Sequence, residues 1–120
     1  MKMQNLVDAS PVLRRISMQE LSLRTLYRLG MLFDKLEYNL QFYDSQRAEI
    51  MQDCCTEKNG RFVPRSGKEE ELERRFRELL EFEVDIGEID PVVIPADEPL
   101  RLSYHDLQLV RNFVRIGEEE

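Results

Sequence analysis

Between Leu26 and Cys54, apolar residues recur in alternating steps of three and four: Leu26, Leu29, Phe33, Leu36, Leu40, Tyr43, Ile50 and Cys54. Such steps gather side chains on one face of a 3.6-residue helix, whereas a strand would scatter them to both faces. Arg47 takes the one slot that interrupts the seam. A flanking set, Leu23, Tyr27, Met31, Leu32, Tyr38 and Met51, widens the stripe beyond a two-stranded coiled-coil seam. A stripe of that width requires packing against more than one element. Ser17-Met18-Gln19-Glu20 has the S-x-x-E capping-box spacing, which predicts the helix start there. From that start the helix runs about 35 residues, roughly 50 Å at 1.5 Å per residue. Gly30 inside it costs about 1 kcal/mol relative to Ala and marks a bend or a close helix crossing.

The rest of the chain is arranged around this helix. Residues 1–16 contain Pro11 and read as an irregular lead-in. Glu57-Lys58-Asn59-Gly60-Arg61-Phe62-Val63 predicts a hairpin, because Asn-Gly tolerates the positive φ angles of a type I′ turn. Ser66 with Glu69 repeats the capping-box spacing and opens a second helix to about Phe82, with Leu72, Phe76, Leu79 and Leu80 on its buried face. Glu70–Arg74, Glu71–Arg75 and Glu73–Arg77 are acid-first i, i+4 pairs worth about 0.2–0.5 kcal/mol each. From Glu83 the period drops to two, and Val92-Val93-Ile94 lies extended between Pro91 and Pro95. Ser103 with Asp106 caps a last helix of about thirteen residues ending at Gly117, at the familiar glycine position after a C-cap. The expected fold is mainly α with minor β. A long N-terminal helix packs antiparallel against two shorter helices, with a small hairpin at its tip and an extended Pro-flanked connector. The expected organisation is a lead-in over 1–16, one helical domain over 17–117 and an acidic tail over 118–120.

Composition narrows the functional classes. Lys and Arg number 17 against 24 Asp and Glu, a net charge of −7. That balance argues against binding to duplex DNA or to a membrane surface. No apolar run reaches the roughly 18–20 residues of a membrane span, and residues 1–11 lack the apolar stretch of a secretory signal. One His and the adjacent Cys54 and Cys55 cannot build a four-ligand zinc site without many carboxylates. Neighbouring cysteines form only a strained disulfide, so both read as thiols at a helix end, one buried and one exposed. Free thiols imply a reducing, cytoplasmic setting.

Catalytic patterns are absent. His105 stands beside Asp106, but Ser103 is better explained as a helix cap than as a nucleophile. Asp85-x-x-Glu88-x-Asp90 lacks calcium-loop spacing. There is no phosphate loop, H-E-x-x-H or G-x-S-x-G. The expectation is a protein that is not an enzyme and carries no cofactor or metal.

Charge is the feature left to explain. Residues 1–65 hold ten bases and eight acids, while residues 66–120 hold seven bases and sixteen acids. Eight acids, Glu78, Glu81, Glu83, Asp85, Glu88, Asp90, Asp97 and Glu98, fall between Glu78 and Leu100 without one Lys or Arg. They are the candidate surface for a protein partner with a basic face. Tyr27, Met31, Tyr38, Arg47 and Met51 are the candidates for self-association, giving a homodimer built on the long helix with Arg47 fixing its register.

The order of long apolar helix, Lys58-Asn59-Gly60-Arg61 hairpin, acidic helix ending Leu79-Leu80-Glu81-Phe82-Glu83-Val84-Asp85-Ile86, Val92-Val93-Ile94-Pro95 strand and Leu102-Ser103-Tyr104-His105-Asp106-Leu107 cap resembles small helical proteins encoded by bacteriophages and prophages of Gram-positive bacteria. The resemblance covers residues 20–116 and is one of layout. It implies a phage origin, residence in the host cytoplasm and a non-enzymatic role. Two roles follow as expectations: a binder that inhibits a host defence or host enzyme through its acidic surface, or an assembly component of the phage particle acting through self-association.

Overall fold

Ser22, not Ser17, starts the long helix. In the computed structural model, which describes residues 1–117, α2 spans Leu23–Cys54, and the Ser22 hydroxyl accepts from the Thr25 amide at 3.2 Å. Ser17 is the last residue of a separate helix, α1 (Met3–Ser17). Gln19, within the expected capping box, instead clasps the Arg101 backbone, accepting from its amide at 2.8 Å and donating to its carbonyl at 3.1 Å.

The expected irregular lead-in over 1–16 is therefore helical, and it supplies the centre of the core. Met3, Leu6, Ala9, Val12, Leu13 and Ile16 are fully buried or nearly so. Pro11 sits on the exposed side of α1. An interior proline costs a helix about 3 kcal/mol. Five large side chains buried at about 1.5–3 kcal/mol each outweigh it.

The hairpin forms as predicted. β1 (Cys55–Lys58) and β2 (Arg61–Pro64) pair antiparallel around Asn59 (φ 52°) and Gly60 (φ 77°). α3 (Glu69–Glu81) follows, but without the Ser66 cap, since Lys68 is its N-cap residue and makes no side-chain cap bond. α3 returns antiparallel along the C-terminal half of α2: Arg75 meets Asp53 at 3.0 Å, and Phe82 stacks on Phe42 with centroids 6.0 Å apart. α1 lies antiparallel on the N-terminal half, its start joined to Phe82 by the Met3 amide at 2.8 Å and its end beside the start of α2. Two short helices thus cover the long one end to end. They are α1 and α3, however, and not α3 and the last helix.

The last helix, α4 (Tyr104–Val110), has the Ser103 cap but seven residues where about thirteen are expected. Val114–Ile116 forms β4, parallel to β3 (Val92–Ile94), with Val92 opposite Val114 and Ile94 opposite Ile116. Parallel strands require a crossover, and α4 supplies it. Val110, Phe113 and Val114 are all buried, Val114 through the ladder to β3 rather than on a continued helix. α4 packs on α1, where Arg15 meets Asp106 at 3.0 Å.

The connector is pinned at both ends. The Val84 amide donates to the Met1 carbonyl at 2.9 Å, and Gln19 and Glu98 hold the far end against the α1–α2 turn. Leu36 is fully buried in the main cluster with Leu13, Ile94 and Phe113, while Leu40 is half-buried at its edge. Ile50, Cys54 and Leu79 are buried apart from that cluster, around the α2–α3 contact. The predicted acidic tail over 118–120 lies outside the described residues.

Candidate functional site

With α1 and α3 on one side of α2, its opposite side is left to solvent. Leu23, Tyr27, Met31 and Tyr38 are exposed there by 84%, 68%, 51% and 76%. At about 100° per residue these four fall within a stripe roughly 80° wide, and Phe42 extends it toward α3. Helical spacing alone predicts one apolar face for this segment. The structure shows two, an inner one of Leu29, Leu32 and Leu36 and an outer one left exposed among the described residues.

A groove of about 270 Å³ runs beside the outer stripe. Met31 and Leu32 form one wall, and Ile89, Pro91, Val92 and Val93 form the other. The second wall follows from period two in β3: Val92 and Ile94 are buried, which turns Val93 to the groove side. Arg28, Lys35 and Asp90 also line it. Nothing in the sequence reveals this wall, because residues 31 and 93 meet only through the tertiary fold.

Of the self-association candidates, Tyr27, Met31 and Tyr38 share the outer stripe. Arg47 and Met51 do not. They line a separate hollow under the hairpin with Cys55, Phe62 and Arg65. Arg47 is twenty residues from Tyr27, about 200° around the helix, so it cannot fix the register of a pairing through Tyr27.

The eight acids divide. Glu98 is structural: its carboxylate accepts from the Ser22 amide and the Thr25 hydroxyl at the start of α2. Partial burial pushes its carboxyl up, but hydrogen bonds from Thr25 and Ser22 outweigh that and hold it below the ordinary value. Glu83 pairs with the Met1 ammonium at 3.0 Å. Asp85 accepts from the Gly87 amide at 3.0 Å. Glu78 and Glu81 lie exposed on α3, and Glu88, Asp90 and Asp97 are exposed along the connector.

Elsewhere, titratable groups are explained by local structure. Cys54 and Cys55 are both buried, which corrects the expectation of one exposed thiol: Cys54 closes the α2–α3 contact, and Cys55 lies over Met51. The Cys54 thiol donates to Glu71 at 3.5 Å. The Lys68 ammonium, then that thiol, holds the Glu71 carboxyl below its usual value, while Asp53 raises the Arg75 guanidinium. The Ser103 hydroxyl caps Asp106 at 3.1 Å, as its spacing predicts. His105 is exposed in a polar cleft with Asn5, Asp8 and Gln108. Among the described residues, no three His, Cys, Asp or Glu side chains gather where they could hold a metal ion. No helix among them is long and apolar enough to cross a membrane.

No protein-family model, curated protein or solved structure matches this chain.

Proposed function

We propose that this is a non-enzymatic protein that works by binding another protein through the outer face of α2. The observation that carries this reading is the exposed stripe of Leu23, Tyr27, Met31 and Tyr38, continuous at Met31 with the groove walled by Ile89–Val93. Aromatic and Met side chains beside a groove have the composition of an interface centre. For a phage-type chain this surface serves either inhibition of a host defence or host enzyme, or assembly of the particle.

A second reading assigns the binding to the acidic connector. It is favoured by the exposure of Glu78, Glu81, Asp85, Glu88, Asp90 and Asp97 in a stretch without a basic residue, which would steer a basic protein toward it. Retention assays with immobilised protein and a lysate of the source cell separate the two. The stripe reading expects a retained protein that is lost with Tyr27→Asp/Tyr38→Asp and survives raised salt. Retention equal in wild type and variant, but abolished by salt, replaces the stripe with the acidic surface.

A further inference from the structure

We infer that the occupant of the outer α2 face is a second copy of this chain, packed antiparallel across Gly30. This rests on the reading of that face as a binding surface and names its partner.

Three observations converge. The first is Gly30 itself. It is the eighth of the 32 residues of α2, with ordinary helical backbone, and a Cβ built there would meet nothing within 4 Å. Glycine is the poorest helix former after proline, and no positive φ and no close neighbour among the described residues requires it. It lies on the exposed side, one residue from Met31 and three from Tyr27. A helix surface without a side chain at such a point admits another backbone closely.

The second observation is the symmetry of the stripe. Leu23 and Tyr27 are four apart, Tyr27 and Tyr38 eleven, and Tyr38 and Phe42 four again. Among these four positions the spacing is the same from either end, and Met31 falls outside the repeat. An antiparallel two-fold therefore sets Leu23 against the partner's Phe42 and Tyr27 against the partner's Tyr38, each contact occurring twice, as an isologous interface requires. The same register sets Asp34 against the partner's Met31.

The third is area. Leu23, Tyr27, Met31 and Tyr38, exposed by half to four-fifths, offer roughly 500 Å² of apolar surface. A standard interface takes about 800 Å² from each partner, a little over half of it apolar, or about 450 Å². One outer face matches one copy of itself.

Sedimentation equilibrium over micromolar concentrations tests the pairing, with Gly30→Gln as the discriminating variant. Wild type should approach twice its 14.3 kDa mass. Gly30→Gln places a good helix former in open space, so its thermal midpoint under monomeric conditions should equal or exceed that of wild type. Its dimer dissociation constant should nevertheless rise at least tenfold. Orientation is read by oxidising an equimolar mixture of Tyr27→Cys and Tyr38→Cys: the antiparallel pairing expects the two variants cross-linked to each other, and self-linked products overturn it. A wild-type mass of 14.3 kDa at every concentration, or a Gly30→Gln dimer as tight as wild type, removes the inference. If that monomer still retains a lysate protein that Tyr27→Asp/Tyr38→Asp loses, the binding-face reading stands without it.

Discussion

Truncating Leu13 to Ala tests the placement of α1 in the core. Leu13 is fully buried and belongs to the cluster that contains Leu36, Ile94 and Phe113. The substitution deletes three carbons, about 2.4 kcal/mol of transfer free energy at ~0.8 kcal/mol each. A site walled by α2 and the C-terminal elements collapses only in part, and the residual cavity raises the cost to about 3–5 kcal/mol. For a chain of 120 residues, each kcal/mol lowers the thermal midpoint by about 4 °C. The expected drop is therefore about 12–20 °C, followed by far-ultraviolet circular dichroism. Gln4→Ala, on the exposed side of the same helix, should stay within about 2 °C, since surface substitutions fall within about 0.5 kcal/mol. A Leu13→Ala midpoint within about 3 °C of wild type would show that residues 3–17 do not form part of the core.

Leu36→Ala should cost about 2–5 kcal/mol, and Leu40→Ala less because it is half-buried; equal effects in denaturant titrations would place them wrongly. Glu98→Gln should cost about 1 kcal/mol at pH 7, the value of a charged hydrogen bond reduced by solvent exposure. The folded Glu98 carboxyl titrates below its unfolded value of about 4.3, so its stabilisation is present above that pH and is lost as pH falls through the folded value. Melts of wild type and Glu98→Gln should converge in acid, and a gap that widened there would contradict the hydrogen-bond assignment. Gly60→Val forces a β-branched residue to φ 77° and should cost about 1–2 kcal/mol, seen as faster amide exchange in the hairpin with unchanged helical signal. Cys54 and Cys55 are buried, so a thiol reagent should label them only in denaturant; prompt labelling of native protein would show an open α2–α3 contact.

Local signals located much of the fold. The three-four spacing gave α2 its length, Asn59-Gly60 carried its own turn, and Ser103 capped α4 through a bond three residues away. The period of α1 was equally present, since Met3, Leu6, Leu13 and Ile16 lie at helical spacing, but Pro11 obscured it. A proline penalty is local, and burial against distant residues outweighs it only once the chain has folded. The same competition decided between Ser17 and Ser22 as the start of α2: both have capping chemistry nearby, and Glu98, seventy-six residues from Ser22, ties the connector to one of them.

The sequence by itself determined that apolar residues on α2 occupy helical faces, that a tight turn follows it, and that acids concentrate after Glu78. Tertiary structure alone decided which apolar face is inside. Leu29, Leu32 and Leu36 are covered by α1 and β3, whereas Leu23, Tyr27, Met31 and Tyr38 are left outside. It also paired Glu83 with the Met1 ammonium, tied Glu98 to the start of α2 and turned Val114–Ile116 from helix to strand. Periodicity records which side chains share a face of one element. Which face another element will cover depends on contacts between residues far apart in the chain, and no local spacing encodes them.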